Sequence, residues 1–203
     1  MILSANIPKL TLITDSQRLS QERFFEVVSE ALAGGVDTVL VREKQMDSAR
    51  LLAFASTLRE LTGIHQAKLI IHTQADIAKA VSADGVHVSS LEMNQIPGIR
   101  NWLDREAMTV SASCHNETEL GFAQRFGADF AFLAPVFPTQ SHPGQPHLGI
   151  KQFREMAAGA FLPVIALGGI NRGNRKQLKG FPVAVIGAIL NADDPKAAAE
   201  GLI

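Results

Sequence analysis

The segment LTLITDSQRLSQERFFEVVSEALAGGVDTVLVRE, residues 10–43, contains the pattern that decides the fold. It begins with a short apolar run, Leu10–Thr14, and ends with another, Asp37–Glu43. Runs that are apolar on both faces are typical of strands in a parallel sheet covered by helices. Between the two runs, apolar residues recur at helical spacing, at Phe24, Val27, Val28, Ala31 and Leu32. Gly34 and Gly35 follow and predict the end of that helix, so the segment predicts a strand–helix–strand unit.

The same alternation continues to the end of the chain. Six further apolar runs predict strands at Lys68–Thr73, Asp84–Val88, Met108–Cys114, Asp129–Val136, Pro163–Gly169 and Pro182–Ile189. Helices between them are predicted by a stripe at Leu51, Phe54, Ala55 and Leu58, a capping box at Asn116 and Glu119, a stripe at Ile150, Phe153 and Ala157, and the pair Asp194-Pro195. About eight such units fit an open doubly wound sheet or a closed barrel. The count favours a single (β/α)₈ TIM barrel domain over residues 1–203.

The composition excludes several classes of function. Lys plus Arg number 19 and Asp plus Glu number 20, so the net charge is −1, whereas general nucleic-acid binders and polybasic membrane-surface proteins are basic. The single cysteine, Cys114, excludes an intramolecular disulfide framework and is typical of a reducing compartment. No apolar run reaches the roughly 20 residues that span a bilayer, and the first residues lack a secretory signal pattern. We therefore expect a soluble cytoplasmic protein.

The barrel prediction places a site at the carboxyl ends of the strands. The residues at or just after the carboxyl ends of the predicted strands are Arg42-Glu43-Lys44, His72-Thr73, His87 to Glu92, Ser113 to His115, the proline-rich loop 135–149, Gly168-Gly169 and Gly187-Ala188. Arg42 and Lys44 suit an anionic ligand, Arg by bidentate pairing and Lys as a point charge. The alternative is that one of them forms an ion pair with Glu43 that ties adjacent strand ends together.

The glycines after the last two strands predict a phosphate site. Gly168-Gly169 precede Asn171, which we expect to cap a helix, and Gly187 ends the last predicted strand. Barrels often bind phosphate at this place through backbone N–H groups and a helix N-terminus. The alternative is close packing of turns where only glycine fits.

The histidines and the cysteine have less specific interpretations. The six histidines include no pair at short helical spacing, so a histidine-built metal site is not favoured. We expect His87 to pack inside the barrel with both ring nitrogens hydrogen-bonded. Cys114 and His115 are adjacent and point to opposite faces of a strand, so we expect Cys114 to be a buried structural residue and not a nucleophile.

Seven motifs, in order along nearly the whole chain, carry a family resemblance. They are LITD, VREK, LIIHTQADIAKAVSADGVHV, SASCHN, GADFAFLAPVFPTQSH, PVIALGGIN and VAVIGAI. Together they resemble the thiamine phosphate synthase and TenI family. The stretch SCHN followed by PVFPTQSHPG is also similar to the synthase-like domain fused to Nudix hydrolases in some bacterial proteins.

The resemblance implies a reaction and its partners. The family's synthases join hydroxymethylpyrimidine diphosphate to a thiazole phosphate, giving thiamine phosphate and diphosphate, with Mg²⁺ holding the diphosphate as it leaves. The implied partners are small phosphorylated substrates. Neither nucleic acid nor a membrane is an implied partner, and family members often form homo-oligomers. Such chemistry requires phosphate-binding groups, a metal and exclusion of water.

The resemblance also assigns roles to residues of this chain. It places thiazole-phosphate binding at Thr139, Gln140, Ser141, Gly169, Ile186 and Gly187. It places the catalytic diphosphate contacts at Arg42, Lys44 and Ser113, with His72 and His142 beside them, and the metal at Thr73 and Glu92. The chain departs from the family pattern at several positions: Leu40 stands for Gln, His72 for Asn, Thr73 and Glu92 for Asp, His142 for Lys and Gly187 for Ser.

Two alternatives to a synthase remain at this point. A TenI-like tautomerase would use a histidine as proton shuttle, but Pro135 occupies that position, so His72, His115 or His142 would have to replace it. A non-catalytic protein that binds thiazole phosphate or thiamine phosphate is the other alternative.

Overall fold

A computed structural model of the chain describes residues 7–103, 108–139, 144 and 146–203. Its strands are β1 (Leu10–Ile13), β2 (Thr38–Val41), β3 (Lys68–His72), β4 (Gly85–Val88), β5 (Thr109–Cys114), β6 (Phe130–Leu133), β7 (Val164–Leu167) and β8 (Val183–Val185). They pair in parallel in chain order, and β8 closes the ring by pairing with β1. The predicted (β/α)₈ barrel is therefore confirmed.

Helices cover the outside of this barrel. The described α-helices are α1 (Gln21–Ala33), α2 (Ser48–Ile64), α3 (Ala75–Ala80), α4 (Ile96–Leu103), α5 (Glu117–Phe126), α6 (Gly149–Gly159), α7 (Gly187–Leu190) and α8 (Pro195–Glu200). Short 3₁₀ helices occupy Ser16–Arg18, Ser90–Gln95 and Arg175–Leu178. Within the described ranges, no helix is both long enough and apolar enough to cross a membrane.

The local sequence accounts for the ends of α1. The Ser20 side chain caps its first turn by accepting from the Arg23 N–H, and Gly35 leaves the helix with a φ of 100°. The buried face of the helix consists of the predicted apolar residues, Phe24, Val27, Val28, Ala31 and Leu32. They pack in the main core between the sheet and the helices.

Three predicted elements differ from the structure. The eighth strand ends at Val185, and Gly187 begins α7, because the chain turns sharply at Ile186 (φ −121°, ψ −85°). Asn171 caps a turn and not an α-helix, since its side-chain oxygen accepts from the Gly173 N–H at 2.8 Å and only a 3₁₀ helix follows. The capping box at α5 is only half formed.

Asn116 caps α5 through the Glu119 N–H at 2.9 Å, but the Glu119 carboxylate does not return the bond to Asn116. It accepts instead from the backbone N–H and the ring Nδ1 of His115, each at 2.8 Å. The charged residue that was expected to complete the cap therefore fixes the preceding loop.

The inside of the barrel is filled by its own apolar cluster. This cluster consists of Ile13, Leu40, Ile70, Phe130, Phe132, Ile165 and Ala184. Leu40 is 1% exposed, so its side chain closes the interior. Because the interior is packed, a ligand of this barrel has to bind at the mouth, where the strands end.

Candidate active site

The end of β2 presents two cations. Arg42 is half-buried and its backbone N–H donates to Thr14 Oγ1 at 2.9 Å, while Lys44 is exposed. Glu43 accepts from the Ser16 N–H at 3.0 Å and from the Ser16 hydroxyl at 2.8 Å. In the described part of the chain, neither Arg42 nor Lys44 forms an ion pair. The alternative of an Arg–Glu or Lys–Glu pair is therefore wrong, because Glu43 is bound by the neighbouring loop.

His72, at the end of β3, lies within the electrostatic reach of both cations. Its Nδ1 is 3.2 Å from the carbonyl oxygen of His87, which can only accept, so Nδ1 carries the proton. Burial lowers the pKa of His72, and the charges of Arg42 and Lys44 lower it further, against the opposing effect of Glu92. His72 is therefore a neutral imidazole whose Nε2 has a lone pair and no partner among the described residues.

Thr73 and Glu92 are brought together, as the resemblance implied. The Thr73 hydroxyl lies 3.5 Å from Glu92 Oε2, and the Ser89 N–H is 3.3 Å from the same oxygen, which the Ser89 hydroxyl also binds. These hydrogen bonds lower the pKa of Glu92, and the bond from the Ser89 hydroxyl has the largest effect. Thr73 adopts a φ of 65°, which is uncommon for a β-branched residue, and its N–H is held by the His87 carbonyl at 2.7 Å.

The donor set at Thr73 and Glu92 limits what metal it can hold. Within the described ranges, no group of three or more His, Cys, Asp or Glu side chains is placed to bind a metal. Glu92 Oε1 has no hydrogen bond from the described residues, so one carboxylate oxygen is available. A single carboxylate is enough for Mg²⁺ that arrives with a diphosphate, because Mg²⁺ commonly keeps water and substrate oxygens as its other ligands.

His87 lies deep in the mouth between two serines of β5. Its Nδ1 is 2.9 Å from Ser111 Oγ, and its Nε2 is 2.8 Å from Ser113 Oγ. Its ring also packs edge-to-face on Phe132 at 5.0 Å between centroids. Burial holds the pKa of His87 well below its usual value, so the ring is neutral. The predicted buried, doubly bonded histidine is confirmed, and it touches the predicted site residue Ser113.

On the opposite side of the mouth, the glycines of the β7 loop are required by close packing. A Cβ at Gly168 would lie 2.7 Å from the Cα of Pro135, and one at Gly169 would lie 2.8 Å from the Cβ of Phe137 and collide with the Pro138 carbonyl oxygen. The turn thus supports the loop that leads to Thr139. The packing interpretation of these glycines is confirmed, and a phosphate role is compatible with it. The predicted residues Gln140, Ser141 and His142 lie outside the described residues.

Arg18 was not predicted to belong to the site. This residue follows β1 and forms a 2.7 Å ion pair from its Nε to Asp15. Its Nη1 lies 3.7 Å from the position that a Cβ would occupy at Gly187, next to the turn at Ile186. Because β8 pairs with β1, the loops after these two strands are neighbours at the mouth. The pairing of β8 with β1, which any closed barrel requires, is the signal that would have added the loop after β1 to the predicted site.

Cys114 and His115 do not form a catalytic pair. Cys114 is fully buried, and burial raises the pKa of its thiol to about 12. His115 points to the outside, where it pairs with Glu119. The predicted structural cysteine is confirmed.

Comparisons with known proteins agree with this architecture. The sequence model of the family described as thiamine monophosphate synthase matches residues 10–191. The chain belongs to this family. Thiamine-phosphate synthases of Desulfitobacterium hafniense and Methanobrevibacter smithii are 35% and 32% identical, covering 96% of this chain and 95% and 93% of their own lengths.

A solved structure supports the same family membership. Thiamine phosphate pyrophosphorylase from Pyrococcus furiosus is 34% identical and superposes with a TM-score of 0.83, covering 96% of this chain and 93% of its own. The thiamine monophosphate synthase family match spans every described site residue given above, from Arg18 to Gly187. The positions that the resemblance marks as departures, such as His72, Thr73 and Glu92, all lie within the matched range.

Proposed function

We propose that this chain is a thiamine phosphate synthase, which transfers hydroxymethylpyrimidine from its diphosphate to the nitrogen of a thiazole phosphate. The observation that carries the proposal is the division of the barrel mouth into two halves. The ends of β2–β5 and the loops after them form the proposed diphosphate half, with Arg42, Lys44, His72 and Ser113. The loops after β6–β8 and β1 form the proposed phosphate half, with Thr139, Gly169, Gly187 and Arg18.

The diphosphate half binds anionic oxygen. Arg42 and Lys44 supply two positive charges that no carboxylate among the described residues neutralises. Ser113 adds a hydroxyl at the same edge, 2.8 Å from His87. Because His72 is neutral, it does not repel or pair with either cation, and both positive charges are available to the substrate. Charge-assisted hydrogen bonds from these groups favour the diphosphate most as its leaving oxygen gains charge.

The proposal includes Mg²⁺ bound through the substrate. Glu92 Oε1 would hold it, while Thr73 and Ser89 keep the other carboxylate oxygen in place. When bound, Mg²⁺ supplies charge neutralisation of the diphosphate. Thr73 itself is an orienting residue in this proposal, because its hydroxyl already donates to Glu92.

The phosphate half binds the thiazole phosphate. The N–H groups of Gly169 and Gly187 donate to no acceptor in the described chain, and Thr139 stands in the loop supported by Gly169. Among the described residues, Arg18 is bound only through its Nε, by Asp15, so its terminal nitrogens are available to a phosphate beside Gly187. Backbone N–H groups with a guanidinium beside them form a suitable phosphate site.

The reaction follows from holding both substrates between these halves. The bond from the pyrimidine methylene carbon to the diphosphate oxygen breaks, and its electron pair leaves with the diphosphate. The thiazole nitrogen then donates its lone pair to that carbon, so no proton is transferred. The chain's contribution is orientation and exclusion of water, with the apolar interior, including Leu40, as the floor of the site.

Turnover with both substrates and Mg²⁺ tests the proposal. The wild-type chain should release equal amounts of thiamine phosphate and diphosphate. Arg42→Ala should lower kcat/KM about 10- to 100-fold, the size of a lost charge-assisted hydrogen bond. Arg50→Ala is the matched control, because the Arg50 side chain is 81% exposed on α2 and, among the described residues, forms an ion pair with Asp47 alone. No product above background from a folded wild-type chain would overturn the synthase proposal.

A thiazole tautomerase is the second candidate, favoured by the unpartnered Nε2 of His72. A neutral imidazole with a free lone pair is suited to accept a proton. Incubation with the thiazole carboxylate phosphate tautomer distinguishes the two, since a synthase leaves it unchanged. Isomerisation that His72→Gln abolishes would favour the tautomerase, and tight binding of thiazole phosphate without either reaction would indicate a non-catalytic binder.

The wider setting is proposed on the composition, the burial of the cysteine and the family resemblance. A net charge of −1 and one buried cysteine suit a cytoplasmic protein that acts on small phosphorylated substrates without nucleic acid or membrane partners. A homo-oligomer is also proposed, and sedimentation velocity of the purified chain measures it. A single monomeric species at micromolar concentration would contradict it.

A further inference from the structure

The imidazole of His87 lies between two serine hydroxyls that differ in their surroundings. Ser111 and Ser113 are two residues apart on β5, so both side chains point into the barrel. Ser111 is 1% exposed, whereas Ser113 is half-buried at the mouth. Ser111 Oγ is 2.9 Å from Nδ1 and Ser113 Oγ is 2.8 Å from Nε2 of the same ring. The pairing of β4 with β5, which puts His87 opposite Ser111, fixes this arrangement.

The protons in this group can be assigned from hydrogen-bonding capacity. A neutral imidazole has one N–H donor and one acceptor nitrogen, and each serine has one proton to donate. Among the described residues, the only partner of the Ser111 hydroxyl is Nδ1 of His87. A buried hydroxyl proton without an acceptor is costly, so Ser111 donates to Nδ1. The ring proton is then on Nε2 and is donated to Ser113 Oγ.

This assignment determines what Ser113 can offer to a ligand. Since Ser113 Oγ accepts from Nε2, its own proton is not used within the group. The Ser113 hydroxyl therefore has a proton to donate towards the open side of the mouth. In the opposite tautomer Ser113 would donate its proton to Nε2 and could only accept from a ligand, which is unfavourable for an anion.

We propose that Ser111 holds His87 in the Nε2–H tautomer, and that this makes Ser113 a hydrogen-bond donor to an anionic phosphate or diphosphate oxygen. Ser111 and His87 are thus positioning residues, which act through Ser113 and do not touch the ligand themselves. The inference rests on the proposed function for the identity of the ligand, a diphosphate. The tautomer itself does not depend on that function.

Histidine nitrogen NMR on the ¹⁵N-labelled chain tests the tautomer without any turnover. The expected spectrum has a protonated Nε2 and a non-protonated Nδ1 for His87, assigned by through-bond correlation of the ring to the His87 backbone after additional ¹³C labelling. Ser111→Ala should convert this spectrum to a mixture of tautomers, because the group that selects one of them is gone. A protonated Nδ1 in the wild type would overturn the assignment, and an unchanged spectrum in Ser111→Ala would overturn the role given to Ser111.

Two amide variants of His87 separate the role of each ring nitrogen. The Gln amide reaches the position of Nε2 and can still donate to Ser113, whereas the shorter Asn amide reaches only the position of Nδ1. The probe is inorganic diphosphate, with its dissociation constant measured by calorimetry. His87→Gln should bind within about 3-fold of the wild type, whereas His87→Asn and Ser113→Ala should each bind about 10-fold more weakly.

Further outcomes separate this inference from the synthase proposal. Ser111→Ala should weaken diphosphate binding. If the His87 variants do not fold, the Ser111→Ala variant and the wild-type NMR spectrum still decide whether Ser111 selects the tautomer of His87. Equal losses in His87→Gln and His87→Asn, or wild-type diphosphate affinity in Ser111→Ala and Ser113→Ala, would overturn the donor role. If turnover is absent but the tautomer and these affinities are as expected, the synthase proposal fails and the inference stands.

Discussion

Single residues of this chain illustrate which contacts a linear pattern can predict. Arg42 and Lys44 were predicted at the mouth because they directly follow a strand, and Cys114 was predicted to be buried because it lies within one. Ser111 was not singled out, although it determines how His87 is bound. Its role depends on the register of β4 against β5, which joins residues 24 positions apart and leaves no periodic signal in the sequence.

Arg18 provides a prediction at this scale. Arg18→Ala should raise KM for thiazole phosphate about 10- to 100-fold, because a guanidinium beside Gly187 is removed. KM for the pyrimidine diphosphate should change little, since Arg18 belongs to the other half of the mouth. Steady-state kinetics with each substrate varied in turn measures both values.

Arg18→Lys is the control for the Arg18 prediction. It keeps the charge but loses the planar donor geometry, so it should be intermediate. Stability should be nearly unaffected in both variants, because the surface ion pair with Asp15 is worth about 0–1 kcal/mol. A rise in KM for both substrates alike would mean that Arg18 supports the whole mouth and not the phosphate alone.

At the scale of elements, strands and long helices were predictable, and the turns after β7 and β8 were not. The stripe on α1 identifies its buried face completely, since helical periodicity depends only on nearby residues. The segment after Gly169 was expected to begin a helix at Asn171 and forms a capped turn instead. An Asn shortly after two glycines suits either structure, and in the fold the Asn174 side chain closes the turn by donating to the Gly169 carbonyl oxygen at 2.8 Å.

The β7 turn gives a prediction in which two glycines serve as a matched pair. Gly169 (φ 67°) and Gly180 (φ 90°) both have positive φ, but only a Cβ at Gly169 would collide with the loop of Phe137 and Pro138. Gly180→Ala should therefore cost only backbone strain, about 1–2 kcal/mol of unfolding free energy. Gly169→Ala should cost more, and it should also raise KM for thiazole phosphate because it displaces the loop that leads to Thr139.

Urea unfolding and substrate kinetics of the two variants test this prediction together. The informative quantity is the ratio of their KM values for thiazole phosphate, because the strain is common to both. If Gly180→Ala raises that KM as much as Gly169→Ala does, the effect comes from general destabilisation and not from the loop.

For the whole molecule, stabilising contacts lie at one end of the barrel and the candidate site at the other. Three aspartates just before β2, β4 and β6 bind backbone N–H groups at or next to the start of the preceding strands. Asp37 accepts from the Lys9 N–H at 2.8 Å, Asp84 from the Leu69 N–H at 2.8 Å and Asp129 from the Val110 N–H at 2.7 Å. Each aspartate can be read from the sequence, but the role that they share depends on which strands pair with each other.

Two of these aspartates are also bound by arginines of the outer helices. Arg59 of α2 reaches Asp84 at 2.7 Å, and Arg100 of α4 reaches Asp129 at 2.6 Å. Each carboxylate thus links a helix to two strands at the amino-terminal end of the barrel. This end contains none of the site residues discussed above, so stability and activity should respond to different substitutions.

Asp129→Ala tests that separation. Removing the carboxylate leaves the Val110 N–H without its acceptor and takes from Arg100 its ion pair, although Arg100 still donates to the Gly127 carbonyl oxygen, so the free energy of unfolding should fall by about 1.5–3 kcal/mol. Asp129→Asn keeps an acceptor for Val110 and should lose less. Urea denaturation measures these losses, and kcat/KM at a temperature where the variants remain folded should stay within about 2-fold of the wild type, since no contact of the mouth is altered. A fall in kcat/KM as large as that in Arg42→Ala, in a folded Asp129→Ala chain, would show that the two ends of the barrel are coupled.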